Sequence, residues 1–315
     1  MTPLVISASR RTDIPNHYVS WFLQRLREGY VLVRNIRDYH QVRKIDLTAK
    51  AVACIVFWTK NPAPLMEHLA AISSYPYYVH FSITPYGSDI EPKIPPLGES
   101  IDCFKRLADA IGKERVIWRY DPVFVSKKYP IEYHLASFNY IAHNLKGYTL
   151  RCVFSFLDIY HHLVKQMEIL EVLPVDEKSR HTLVHNFALQ TQENQMEIQT
   201  CAEGYDFSAY GVTHTSCIDA DIIERLSGFA IEKGRDQGQR KNCRCAPSVD
   251  IGMYNTCLNL CTYCYANHSE RKVRTNYAQA RSNSPLLIGT LGKNDVVLPA
   301  KVTTKAAQLS LFGEL

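Results

Sequence analysis

Over residues 1–200, short apolar runs of strand character alternate with stretches whose apolar positions recur at helical spacing. Strands are predicted at 4–8, 52–58, 78–84, 116–119, 151–156 and 196–201. Helices are predicted at 18–27, 64–72, 100–111 and 131–145, the first turning Trp21, Phe22, Leu23 and Leu26 toward a core. Strands that alternate with helices in this way indicate parallel βα units. Five or more such units in a row favour a barrel or a doubly wound sheet, and the expectation is an α/β protein with a TIM-like barrel, complete or partial. The chain shows no internal repeat and no low-complexity segment.

Composition narrows the setting. The chain has 315 residues, enough to bury a large core as one barrel-sized domain with an appendage or as two domains. Its ten cysteines would suggest disulfides in a secreted protein, but the first residues, MTPLVISASRRTD, lack a signal segment. The longest apolar run, 51–58, is too short to span a bilayer. A cytoplasmic protein with reduced thiols, and no membrane partner, is therefore expected. The net charge of +5 permits nucleic-acid binding without arguing for it. The local run Arg271, Lys272, Arg274 reads equally as a solvated helix face. No Walker loop, nucleotide-binding glycine fingerprint or His-Glu-x-x-His helix is present, and the adjacent His161 and His162 point apart on either kind of element.

The chemistry concentrates in MYNTCLNLCTYCYAN, where Cys257, Cys261 and Cys264 stand as Cys-x3-Cys-x2-Cys. Three closely spaced thiolates can hold three irons of a four-iron cluster and leave the fourth open. A structural zinc site and an electron-transfer cluster are the competing readings, although zinc sites usually add a second Cys-x2-Cys pair and a bacterial ferredoxin loop spaces its cysteines more tightly and adds a fourth. With Tyr254, Tyr263 and Tyr265 the run becomes Tyr-x2-Cys-x3-Cys-x-Tyr-Cys-Tyr-Ala. It resembles the cluster loop of radical S-adenosylmethionine (SAM) enzymes, most closely that of the spore photoproduct lyase-like branch. The resemblance implies a 4Fe-4S cluster on the three cysteines. It implies SAM chelated at the open iron, reductive cleavage to methionine and a 5′-deoxyadenosyl radical, and an electron donor such as flavodoxin or ferredoxin. Tyr263 would then lie against the adenine.

Ordinary enzymes of that kind carry the loop after their first barrel strand, whereas here it follows nearly all the βα units. The expectation is a circular permutation in which 248–254 forms a strand leading into the loop and fits beside the N-terminal strands. With SASRRTDIP, FWTKNP and WRYDP, the arrangement resembles a bacterial domain of unknown function that carries radical-SAM-like cysteines near its C-terminus. That likeness covers residues 1–268 and implies a fold and a cofactor but no reaction.

In parallel barrels functional groups gather at the C-terminal ends of strands. Lys60 and Arg119 are candidate partners for the SAM carboxylate or a substrate phosphate, and Asp121 or Glu203 for ribose hydroxyls or the SAM amine. Arg10 and Arg11 are candidates for the substrate, with an ion pair to Asp13 as the plainer alternative. Cys201, Cys217, Cys243 and Cys245 lie between the last expected strand and the cluster loop, in a region with charged and Gly-rich turns such as EKGRDQGQRKNCRC, and are candidates for a second iron–sulfur cluster or a zinc ion, or else are exposed or redox-active thiols. Cys54, Cys103 and Cys152 sit in apolar patterns and read as buried hydrophobes.

Near the chain end, Gln308, Leu309, Ser310, Leu311 and Phe312 resemble the peptide by which bacterial repair and replication proteins dock on the DNA polymerase sliding clamp. Residues 282–305 read as a tether ahead of it. The expected organisation is therefore βα units over 1–200, a Cys-rich segment completing the barrel over 201–268, a basic linker over 269–307 and a clamp-binding peptide over 308–312. The function expected is a radical-SAM enzyme acting on DNA, by lesion reversal or base modification, recruited by the clamp. Two alternatives stand beside it: a non-catalytic iron–sulfur or zinc protein in DNA maintenance, and a radical-SAM enzyme acting on a small molecule, RNA or peptide.

Overall fold

The computed structural model describes residues 3–231, 234, 236, 239–240, 242–299 and the backbone of 306–308. Eight parallel strands form the central sheet: β1 (Leu4–Ala8), β2 (Val52–Thr59), β3 (Tyr77–Ser82), β4 (Val116–Val123), β5 (Arg151–Phe156), β6 (Glu197–Cys201), β7 (Thr213–Thr215) and β8 (Val249–Asp250). Their order across the sheet is β8-β1-β2-β3-β4-β5-β6-β7, so β8, the last in sequence, pairs with β1 through Ile6–Val249 and Ser7–Asp250. The expected placement of this segment holds, although the strand itself covers only two residues of 248–254.

Because side chains alternate across a strand, each strand feeds two layers. Ile6, Phe57, Phe81, Trp118 and Phe154 pack with the helices α1 (Val19–Glu28), α2 (Leu97–Ile111), α3 (Ile131–Leu145) and α4 (Glu177–Glu193) in the main core. Val5, Val56, Tyr78, Ile117 and Val153 face the other way, against Ile222 and Ile223 of α5 (Ala220–Ser227) and against Cys201, Cys217, Cys243 and Cys245. Burial on both faces explains why β1 and β2 read as near-continuous apolar runs. Asp219 starts α5 by accepting hydrogen bonds from the backbone N–H groups of Asp221 and Ile222.

The fold is thus α/β with a large parallel sheet, and the sheet is open: β7 and β8 are its two edges. Strands of three and two residues are too short to reach across, and α5 with the Cys-rich segment fills the inner face instead.

Several elements differ from expectation. The 64–72 helix is a short turn of helix, Ala63–Met66, followed by a 3-10 turn, Leu69–Ile72. An antiparallel hairpin, Tyr30–Arg34 with Gln41–Asp46, was not expected. The stretch expected as a basic linker carries α6 (Glu270–Ala278) and a strand, Val296–Pro299, that pairs with Gln41–Asp46. Its Leu286, Leu287 and Ile288 are buried, and the indole N–H of Trp21 donates to the carbonyls of Ser284 and Leu286, so packing rather than tethering governs it. The backbone of Ala306–Gln308 pairs with Phe229–Ile231. Leu309, Ser310, Leu311 and Phe312 of the expected clamp peptide lie outside the described residues. Among the described residues no helix is long and apolar enough to cross a membrane.

Candidate functional site

The parallel strands bring all their C-terminal ends to one edge of the sheet, and a cavity of about 410 Å³ opens there. That volume is within the range of small-molecule sites. Cys257, Cys261 and Cys264 line it together with Cys201, Cys217, Cys243 and Cys245, and with Arg10, Arg11, Lys60, Arg119, Asp121 and Tyr263. Residues from the two ends of the described chain therefore meet in one space, as with Tyr265, whose hydroxyl donates to the carbonyl of Arg10, 255 positions earlier.

The cysteine loop is fixed from several sides. Asp250, at the end of β8, accepts from Ser7 Oγ (2.8 Å), Ser9 Oγ (2.7 Å) and the backbone N–H groups of Arg10 and Gly252 (both 2.9 Å). Burial alone would raise its carboxyl, but the charges of Arg11 and Arg10 and these donors hold it below the usual carboxylate range. Gly252 is required at the next turn, because a Cβ there would stand 2.0 Å from Ser9 Oγ. The loop closes where the Asn255 N–H donates to the Ala266 carbonyl at 2.8 Å, with Asn255 in the left-handed region at φ 56°. Tyr18 Oη donates to the Thr256 carbonyl and Asn259 Nδ2 to Asp13 Oδ2, at 2.7 and 2.9 Å. Burial raises the thiols of Cys257, Cys261 and Cys264 alike.

Beside the loop, Lys60 Nζ lies 2.9 Å from Glu91 Oε1 and donates to Thr84 Oγ1 at 3.0 Å. The Tyr263 hydroxyl donates to the same Glu91 oxygen, and its ring packs with Tyr86 and Phe124. Burial opposes the Lys60 charge, but the Glu91 carboxylate holds the ammonium ionised. Glu91 was not foreseen, and its sequence context, GSDIEPK, is that of an ordinary polar loop.

Across the cavity, Arg119 pairs with Asp121, which also accepts from Ser155 Oγ, and Arg119 Nη1 donates to Cys217 Sγ at 2.9 Å. Cys217 is 3.0 Å from Cys201, sulfur to sulfur, and also bonds Cys245, which bonds Cys243. Hydrogen bonds from Cys201 and Cys245 lower the Cys217 thiol, with Arg119 and His80 adding to the effect. Cys245 in the same way holds Cys243 at about 7. Glu203 accepts from the Phe156 N–H at 2.7 Å. Burial, reinforced by Asp158 and Asp121, raises it to about 7 against that hydrogen bond and Arg240.

Arg10 and Arg11 make no ion pair with Asp13. Arg10 meets Asp236 and Asp250 at 3.5 and 3.7 Å, and Arg11 lies over the Tyr254 ring. Asp13 instead receives the Lys60 and Asn16 N–H groups. Cys54, Cys103 and Cys152 are buried in the apolar layers, as their patterns indicate. Among the described residues no group of three or more His, Cys, Asp or Glu is gathered closely enough to hold a metal ion as it stands.

The fold and site together define a parallel α/β protein with a cysteine-lined cavity at the C-terminal edge of its sheet. The family model described as Domain of unknown function (DUF1848) matches residues 5–266, and the chain belongs to that family. Neither the curated proteins nor the solved structures give a match.

Proposed function

We propose that the chain is a radical-SAM iron–sulfur enzyme on a permuted, open βα barrel, with a DNA base as its substrate. The observation that supports this reading most is the position of the cysteine loop. Late in sequence, it leaves β8, the strand beside β1, and faces the cavity into which the other strand ends project.

Cys257, Cys261 and Cys264 would hold the cluster; three soft donors on one closed loop suit a four-iron group with one open site. When bound, that group supplies the electron that cleaves SAM. The chain's own residues bind, orient and exclude water. Lys60 is a fixed cation at the loop, though one already balanced by Glu91, so a carboxylate bound there competes with Glu91. Tyr263 is steadied by its hydroxyl on Glu91. Arg119 and Asp121 form the opposite wall, and Glu203, near neutrality, can hold or release a proton behind it.

The rim supports a nucleobase. Tyr160 stacks on Tyr265 and His162 on His268, all exposed, and Arg11 lies over Tyr254. Such ring faces accept bases of any sequence, and a base must leave the helix stack to enter a barrel mouth. Recruitment by the sliding clamp through 308–312 belongs to the same reading.

The test is anaerobic reconstitution with iron and sulfide, then SAM, reductant and assay of 5′-deoxyadenosine. Cys261→Ala is expected to lower release by at least 100-fold. Full iron loading without SAM binding under any reductant would leave the cluster structural or electron-carrying and end the enzymatic reading.

A further inference from the structure

The four cysteines opposite the loop form a place of their own. Cys201, Cys217, Cys243 and Cys245 are all buried, and they come from three separate places: the end of β6, the turn after β7, and the segment before β8. Their contacts run as a chain, Cys201 to Cys217 to Cys245 to Cys243, with 3.0 Å between the first two sulfurs. Protonated thiols that share hydrogens pack in such a chain rather than around a point. Three arginines reach this chain, each also held by a carboxylate: Arg119 by Asp121, Arg10 by Asp236 and Asp250, and Arg240 by Asp158. Arg119 donates to Cys217 at 2.9 Å, Arg240 donates to Cys201 at 3.9 Å, and Arg10 faces Cys245. The buried Nη1 of Arg10 has no hydrogen-bond partner among the described residues. Beyond their carboxylates, Arg119 and Arg240 also turn N–H groups to the sulfurs of Cys217 and Cys201, and such donors stabilise metal-bound thiolate.

We propose that Cys201, Cys217, Cys243 and Cys245 bind a single thiophilic divalent ion, zinc in type, as a tetrathiolate site separate from the Cys257–Cys264 loop. With all four sulfurs bound as thiolates, the centre carries a charge of −2 and faces Arg10, Arg119 and Arg240. At zinc–sulfur bonds of about 2.3 Å, tetrahedral sulfurs lie about 3.8 Å apart. Cys201 and Cys217 need to separate by less than an ångström to reach this, and Cys243, at the far end of the chain, has to turn in beside them. A cuboidal cluster places each thiolate on a different iron and needs a wider spread. The ion would tie β6, β7 and the segment before β8 together on the inner face of the sheet. The site stands whether or not the proposed enzyme reaction does.

The experiment uses the full chain with Cys257, Cys261 and Cys264 all changed to Ala, which leaves the four cysteines untouched. Produced with zinc supplied, it is expected to carry one zinc per chain. Produced with cobalt, it is expected to show the visible bands of a tetrahedral tetrathiolate and sulfur-to-cobalt charge transfer. Cys201→Ser or Cys243→Ser in that background should lower metal content at least tenfold. Overturning results are absence of bound metal with all four thiols open to a thiol reagent in the folded protein, or iron with acid-labile sulfide in the triple variant.

Discussion

Glu203 gives the most direct residue-scale measurement. Its carboxyl is raised to about 7 in the fold by burial and by Asp158 and Asp121, against an unfolded value of about 4.3. The folded chain therefore holds this proton more tightly than the unfolded chain. The stability it contributes is complete below about pH 4 and is lost as pH rises through 7, by roughly 1.4 kcal/mol per pH unit between the two values. Glu203→Gln keeps an acceptor for the Phe156 N–H and removes the titration. Denaturant midpoints at pH 5 and pH 8 should show the wild type losing stability relative to the variant, and parallel profiles would mean that Glu203 ionises as it does in water. The residue was legible as polar and at a strand end. Its proton affinity was not, because that comes from burial in the fold, reinforced by Asp158 just beyond β5 and by Asp121 on β4. Glu91 and Asp250 were hidden for the same reason: each earns its role from partners far away in sequence.

At the scale of elements, the runs at 4–8, 131–145 and 151–156 could be read to the residue, since buried parallel strands and amphipathic helices leave strong periodic patterns. The helix Glu177–Glu193 left a weak one: only Leu183, Val184, Phe187, Ala188 and Thr191 are buried on it, and the rest is polar apart from the exposed Leu189. The β8 strand is two residues long and exists through its neighbours, not its propensity. Its docking depends on Gly252, where any side chain meets Ser9. Gly252→Ala is expected to cost about 1–3 kcal/mol by overpacking and to shift the cysteine loop away from Arg10. Urea unfolding, with iron loading of the reconstituted chain read alongside, checks both effects. An unchanged midpoint with full loading would mean that the turn relaxes without strain.

For the whole molecule, the expected division at residue 200 cuts through a shared layer. Val5, Val56, Tyr78, Ile117 and Val153 line the inner face of the sheet, and their cover is α5 and the cysteines beyond residue 200. Each large side chain among them contributes roughly 1.5–3 kcal/mol on burial, so together they match the whole stability of a typical domain, about 5–15 kcal/mol. β1 would also lose β8 as its neighbour and become an exposed, apolar edge. The fragment 1–200 is therefore expected to show no cooperative unfolding transition and to associate through that face, whereas the full chain unfolds in one transition. Deleting 308–312 takes only the Gln308–Phe229 pair from the described structure, so it should leave that transition unchanged, and on the proposed recruitment by the clamp it should abolish clamp binding. A cooperative 1–200 fragment would show that the inner layer is an accessory to the fold. A destabilised deletion would show instead that the last residues pack on the body, which would remove the basis for recruitment by the clamp.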